Sequence, residues 1–226
     1  MADNWNPKLL QVITVAVDPV DGTLYLVDGG HRVTAARLLG ITSLTADVKY
    51  GLSKEERAEL FIELQSERKP INPLTLFNVR ITAGHVRETE IERLLFDRGM
   101  KVGGSPSTNV VASISGLTKT YDDGGKELVG KTIDVLRAAF GTHGGDAWQP
   151  DILRGTAIVL FRNATIDIQR LVRTLQTDAP RMWLSYVATR SRGSGGSGGR
   201  PMHMAKLIVE RYNSGLTAKS KKRIAL

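Results

Sequence analysis

An apolar run that ends in two glycines and continues as a helical pattern is the feature that most restricts how this chain can fold. The run covers residues 23–27, the pair is Gly29-Gly30, and residues 31–39 have helical periodicity. A strand, a glycine turn and a helix start, in that order, direct unpaired backbone N–H groups and a positive dipole end to one point. His31 and Arg32 add side-chain donors in the first helical turn. The spacing therefore predicts a phosphate-binding turn.

Asp28, directly before the glycines, leaves an alternative open. A carboxylate repels a phosphate unless it binds a metal or caps the helix, and a glycine pair before a helix also forms ordinary tight turns with a surface arginine. The hypothesis would fail if the turn were filled by its own side chains, with Arg32 locked into an internal ion pair and no cavity in front of it.

The residues of this stretch resemble the signature box of the ParB/sulfiredoxin superfamily. Asp28-Gly29-Gly30-His31-Arg32 is followed by Ala35-Ala36, where ParB proteins carry Gly-Glu-Arg-Arg-x-x-Ala-Ala and sulfiredoxins carry Gly-Gly-Cys-His-Arg. The box is most similar to that of the ParB-like proteins of actinobacterial phages, which read Asp-Gly-Gln-His-Arg. In the family it holds nucleotide phosphates, of CTP in ParB and of ATP in sulfiredoxin. The resemblance implies that CTP or ATP is bound by Gly29, Gly30, His31 and Arg32.

The match departs from the family at Gly30. The ParB glutamate linked to CTP turnover and the sulfiredoxin catalytic cysteine both align with this glycine, which can neither orient water nor attack a substrate. The chain has no cysteine at all, which excludes disulfides, thiolate metal sites and sulfiredoxin chemistry. The resemblance thus implies binding without efficient turnover. The alternative is a ParB-like nuclease or nucleotide triphosphatase that uses Asp28 and a metal.

A second stretch resembles the third ParB motif, Glu-Asn-x-Gln-Arg-x-x-x-Asn-Pro, in which an acid-amide pair helps hold the triphosphate and its magnesium. Aligned on Asn72-Pro73, this chain keeps Arg68, which becomes a further phosphate-binding candidate. The acid-amide pair falls on Leu64-Gln65, with Glu63 one residue away. The resemblance therefore leaves Mg²⁺ binding open.

Periodicity predicts an α+β chain, with a small mixed sheet and its helices followed by a mainly α-helical region. The family's N-terminal strand and helix have no counterpart here. The predicted parts are a ParB/sulfiredoxin-like domain over residues 1–73, a helical domain over 74–189, a Gly/Ser linker over 190–200 and a basic C-terminal helix and tail over 201–226. Strands are expected within 9–17, 23–27 and 41–50, and helices over 53–66, 74–83, 88–97, 108–117, 126–140, 151–162, 165–176, 180–189 and 201–212.

Two further motifs lie in the helical region. The helices at 88–97 and 108–117 are separated by a glycine-containing break, which leaves a helix-turn-helix open beside ordinary helix packing. Residues 125–132 match the P-loop pattern, but no apolar strand precedes them, so a core helix is the better interpretation.

The four histidines show no metal-ligand spacing, and no metal site is predicted.

The excess of basic over acidic residues lies entirely in the last part of the chain. The net charge is +8, and nine of the 31 Lys and Arg residues but only one of the 23 acidic residues follow position 189. A basic tail attracts a phosphate backbone without regard to sequence. The predicted nucleic-acid contacts are Lys219, Lys221, Lys222 and Arg223.

Together with the basic tail, the resemblance to phage ParB-like proteins implies a cytoplasmic, nucleotide-binding and DNA-associated regulatory or accessory protein, encoded by a phage or prophage and acting in the bacterial host. No apolar run reaches the length of a membrane span, so no membrane partner is expected. A homodimer is left open, as is binding of a host protein through the helical region.

Overall fold

The computed structural model describes residues 11–66, 71–191 and 199–226. It is a mixed α+β chain whose contacts form two compact units, Met1–His85 and Val86–Leu226. The division therefore falls at residue 85 rather than at the predicted residue 73, because the helix after Asn72 packs on the helix before it. Within the described residues, no helix is both long enough and apolar enough to cross a bilayer.

The first unit is built on a three-stranded mixed sheet, which confirms the predicted strands. Its strands are β1 (Ile13–Val17), β2 (Leu24–Asp28) and β3 (Ala46–Lys49). β1 is central, paired antiparallel with β2 and parallel with β3. The order places the carboxyl end of β2, where the glycine box begins, next to the start of β1.

Three helices complete this unit: α1 (Gly30–Leu38), α2 (Lys54–Ser66) and α3 (Pro73–Thr82). A capping box starts α2 near the predicted residue 53, since the Glu56 N–H donates to Ser53 Oγ at 3.1 Å and the Ser53 N–H donates to Glu56 Oε2 at 2.7 Å. The Asn72 side chain caps α3 by accepting from the Leu74 N–H at 2.9 Å. Local sequence therefore fixes where both helices begin.

Arg57 joins α2 to the hairpin of β1 and β2. Its Nη1 donates to Asp18 Oδ2 at 3.0 Å, and its guanidinium lies 4.3 Å from the centre of the Tyr25 ring. The Val20 N–H also donates to Asp18, and this hydrogen bond, followed by the Arg57 contact, lowers the pKa of the Asp18 carboxyl.

The second unit is mainly helical. It contains α4 (Val86–Phe96), β4 (Lys101–Val102), β5 (Val110–Val111), α5 (Ile114–Phe140), a 3₁₀ turn (Asp146–Trp148), α6 (Pro150–Arg162), α7 (Ile168–Leu175), α8 (Pro180–Ser191) and α9 (Gly199–Asn213). Its core is closed by large side chains that are almost wholly buried, among them Trp148, Trp183, Tyr212, Ile133 and Leu153. α9 packs against α6 as part of this core, and the predicted separate C-terminal helix belongs to the second unit.

The predicted helix over residues 108–117 is wrong in its first half. Val110 and Val111 form β5, a parallel partner of β4, and α5 begins only at Ile114. β-branched valines favour a strand here, and Asn109 has a positive φ of 60° that interrupts any helix before them. The residues that such a motif would turn towards a DNA groove all precede Ile114, so the helix-turn-helix interpretation fails; they are Ser107, Thr108, Asn109 and Ser113.

The helix expected in place of a P-loop is confirmed. Lys131 and Thr132 lie inside α5, with the Thr132 hydroxyl donating to the Leu128 carbonyl at 2.7 Å. Gly124 and Gly125 have non-helical dihedrals and kink α5 ahead of that turn. A helical backbone cannot turn its N–H groups towards a phosphate as the P-loop requires.

Two smaller boundaries also change. α7 begins at Ile168 rather than at the predicted residue 165, and Asp167 is its cap, because the Asp167 side chain accepts from the Arg170 N–H at 3.0 Å. The predicted linker over 190–200 is shortened from both sides, since α8 extends through Ser191 and α9 begins at Gly199. Residues 192–198 lie outside the described part of the chain.

The contact of α6 with α9 can be tested at Gly155. A Cβ there would lie 2.4 Å from Met204 Cγ, whereas a Cβ at Gly130, in α5, meets its nearest atom at 3.4 Å. Replacing a helical glycine by alanine gains about 0.5–1 kcal/mol of helix propensity, and overpacking costs about 1–3 kcal/mol. We expect Gly155→Ala to lower the free energy of unfolding in urea and Gly130→Ala to leave it unchanged or raise it. Equal values for the two variants would contradict the close packing.

Candidate phosphate-binding site

The turn between β2 and α1 requires glycine at position 29. Gly29 has a φ of +101°, in the left-handed region, and is the N-cap of α1. A Cβ at this position would lie 2.5 Å from Ile13 Cγ2, so the turn also needs the absence of a side chain. The N–H groups of Arg32 and Val33 both donate to the Gly29 carbonyl, which starts the helix. The predicted strand, glycine turn and helix are therefore present in that order.

The turn is open at its next residue. A Cβ at Gly30 would have no atom within 4 Å, and His31 is exposed. The backbone N–H groups of Gly30 and His31 have no acceptor among the residues that the structure describes. The first turn of α1 holds no acidic side chain and no side-chain cap. Two amide donors and the positive end of the helix dipole thus face the same open point.

Arg32 does not face that point. Its Nη2 donates to Asp28 Oδ2 at 2.7 Å, and its Nη1 donates to the carbonyls of Gln11 and Val12, each at 2.7 Å. The Asp28 and Arg32 side chains are only 7% and 15% exposed. The prediction that Arg32 presents a free fork to a phosphate is therefore corrected. An adjacent carboxylate and two backbone carbonyls accept hydrogen bonds from Nη1 and Nη2, which hold the guanidinium against the turn.

The two motifs that the sequence analysis singled out meet at Asp28. The Gln65 Nε2 donates to Asp28 Oδ1 at 3.0 Å and so attaches the end of α2 to the glycine box. Sequence reasoning did not assign Gln65 to the site, although its place in the acid-amide pair of the second motif was the available signal. Arg68 lies outside the described residues, and its role stays a prediction.

Both carboxylate oxygens of Asp28 are engaged, one by Arg32 and the other by Gln65. A metal at Asp28 would share this carboxylate with a charged guanidinium and an amide. In the described ranges, no three His, Cys, Asp or Glu side chains are grouped so that they could hold a metal.

The four predicted nucleic-acid contacts lie together near the end of the second unit. Lys219, Lys221, Lys222 and Arg223 are all exposed. They belong to a chain of short turns after α9, in which the Ser220 N–H donates to the Thr217 carbonyl and the Arg223 N–H donates to the Ser220 carbonyl. The predicted basic surface is present in this segment.

Comparisons of the chain with protein-family models, with curated proteins and with solved structures found no match. The resemblance to the ParB/sulfiredoxin superfamily thus depends on the residues of its two motifs alone.

The special position of Gly29 can be tested against its neighbour. Gly29→Ala forces a side chain into a left-handed conformation, which costs about 1–2 kcal/mol, and into contact with Ile13, which costs about 1–3 kcal/mol. We expect a loss of about 2–5 kcal/mol in the free energy of unfolding of the first unit, measured in urea by circular dichroism. Gly30→Ala is the matched control, since its methyl group enters open space. A Gly29→Ala variant as stable as this control would mean that the turn has another conformation.

Proposed function

We propose that the first unit is a ParB-like nucleotide-binding domain of a DNA-associated regulatory or accessory protein. Its ligand is CTP or ATP, whose phosphates meet the N-terminus of α1 at Gly29, Gly30 and His31. The observation that carries the proposal is the open turn at Gly30, where two amide N–H groups have no acceptor among the described residues. We place the protein in the cytoplasm of a bacterium that a phage has infected.

The ion pair of Asp28 with Arg32 supports anion binding indirectly. A lone carboxylate next to the turn would repel a phosphate, but the guanidinium 2.7 Å away compensates its charge. The field at the turn is then set by the helix dipole and by the amides of Gly30 and His31, both of which favour an anion. Arg32 is thus a positioning residue that neutralises Asp28, rather than a direct phosphate contact.

Binding without turnover is supported by the residue types around the turn. Gly30 carries no group that could activate water, and the Asp28 oxygens accept hydrogen bonds from Arg32 and Gln65. A general base must reach the water that it activates. We therefore propose that the nucleotide acts as a bound ligand that is not efficiently hydrolysed. The titration described below tests whether Mg²⁺ binds with it.

The nucleotide site can be tested by a charge placed at the turn itself. His31→Glu adds a carboxylate that competes with a phosphate for the amide donors, yet favours the helix because it lies at the positive end of the dipole. His31→Gln is the control of matched size and no charge. Calorimetric titrations with CTP or ATP are run with and without Mg²⁺. We expect His31→Glu to bind the nucleotide at least about tenfold more weakly than His31→Gln, a difference of about 1.4 kcal/mol or more in binding free energy.

The same titration decides the role of Arg32. Arg32→Ala leaves Asp28 uncompensated beside the turn, so nucleotide affinity is expected to fall even where circular dichroism shows an intact fold. If neither CTP nor ATP binds the unaltered protein with an affinity better than millimolar, the proposed function is wrong. Rapid hydrolysis of the bound nucleotide would instead favour an enzyme.

The association with DNA is proposed for the four exposed cations near the end of the second unit. Each phosphate contact made by a cation contributes about −0.9 to the slope of log affinity against log salt for duplex DNA. We expect a variant with Lys219, Lys221, Lys222 and Arg223 all replaced by Gln to bind a fluorescent duplex more weakly and with a shallower salt slope. An unchanged affinity and slope in anisotropy titrations would remove this segment from the interface.

A further inference from the structure

The basic segment after α9 is closed into a loop by one asparagine side chain. The Asn213 Nδ2 donates to the Ile224 carbonyl at 2.9 Å, and the Ile224 N–H donates to Asn213 Oδ1 at 3.0 Å. These two bonds join the start and the end of residues 213–224, which we call the basic loop. Compact surface loops with adjoining ends are often functional. All four predicted nucleic-acid contacts lie inside this one.

A second asparagine repeats the arrangement one residue further on. The Asn163 Nδ2 donates to the Ala225 carbonyl at 2.8 Å, and the Ala225 N–H donates to Asn163 Oδ1 at 3.3 Å. Asn163 is the C-cap of α6, and its Nδ2 also donates to the Val159 carbonyl at 2.9 Å. The end of the basic loop is therefore attached to a core helix.

The start of the basic loop is attached as well. The Arg170 guanidinium, from α7, donates to the Tyr212 carbonyl at 2.8 Å and to the Ser214 carbonyl at 3.0 Å. Hydrogen bonds to a charged donor are stronger than those between neutral groups. Both ends of the loop are consequently held by side chains of the helices beneath it.

Turns inside the loop further restrict its backbone. The Arg223 Nη1 donates to the Leu216 carbonyl at 3.1 Å, and the Lys222 N–H donates to Ser220 Oγ at 3.2 Å. The charge of Lys222 also contributes, after a backbone hydrogen bond from Arg170 and the charge of Arg173, to lowering the pKa of Asp167. Lys222 thus acts on the N-cap residue of α7, and Arg173, in the last turn of that helix, is a further exposed cation.

We propose that the basic loop is a preorganised binding surface for the phosphate backbone of duplex DNA, with Asn163 and Asn213 as the positioning residues that close it. This inference rests on the proposed association with DNA. It treats the basic segment as a loop of fixed shape rather than as a flexible tail. A surface that is ordered before binding does not lose conformational entropy on binding. A duplex, whose phosphates are also at fixed spacing, gains more from such a surface than a single strand, which adapts its shape to either kind of partner.

The test uses the full chain with Asn213→Ala, which removes the two hydrogen bonds between the ends of the loop and leaves every cation in place. We expect duplex affinity in anisotropy titrations to fall roughly fivefold or more while the slope against salt stays the same, because the number of phosphate contacts is unchanged. Single-stranded DNA is expected to lose less. Asn163→Ala should act in the same direction, and Asn78→Ala, at an exposed position of α3, is the control that should change nothing.

Hydrogen exchange separates this inference from the proposed function. The amides of Ile224 and Ala225 should be protected in the unaltered protein, with Ile224 losing protection in Asn213→Ala and Ala225 losing it in Asn163→Ala. Unprotected amides in the unaltered protein would overturn the closed loop whatever the protein binds. If the four Gln substitutions weaken DNA binding but Asn213→Ala does not, the association with DNA stands and the preorganised surface is wrong. If the Gln substitutions have no effect either, the proposed association itself fails.

Discussion

The ion pair between Asp28 and Arg32 determines what the glycine turn can do. It is nearly buried, and Gln65 adds a further hydrogen bond to the same carboxylate. Removing one partner of such a pair leaves an uncompensated buried charge, so the pair fixes both the end of β2 and the start of α1. It also removes the repulsion that a lone carboxylate would exert on a phosphate. The amides of Gly30 and His31 then dominate the field at the turn.

Local patterns were sufficient to predict the strands of the first unit and the starts of its helices. The capping box at Ser53 and the glycine stop at the end of β2 act within a few residues, so the sequence reports them directly. The partners of Arg32 were not predictable in that way, because Gln11 and Val12 lie about twenty positions away along the chain. Gln65 is more distant still, at 37 positions from Asp28. Such contacts depend on tertiary packing that periodicity does not reveal.

The second unit shows the same limit at a different point. Its long helices were predictable from their apolar spacing, whereas the pairing of β4 with β5 was not, since each strand has only two residues. Two-residue strands carry no readable alternation. The loop after α9 was predicted to be a free basic tail because its composition is that of one. Its closure depends on Asn213 and Asn163, and a single asparagine in a sequence does not reveal which backbone it binds.

The two asparagines that hold the basic loop, Asn163 and Asn213, make it sensitive to deamidation. Asparagine is among the thermolabile residues, and hydrolysis of its side-chain amide leaves an aspartate, which has no N–H to donate. At position 213 the new carboxylate would face the Ile224 carbonyl, and at position 163 it would face the Ala225 carbonyl. Each event would open the loop and add a negative charge beside its cations. Ageing of the purified protein should therefore change this loop before it affects the buried core.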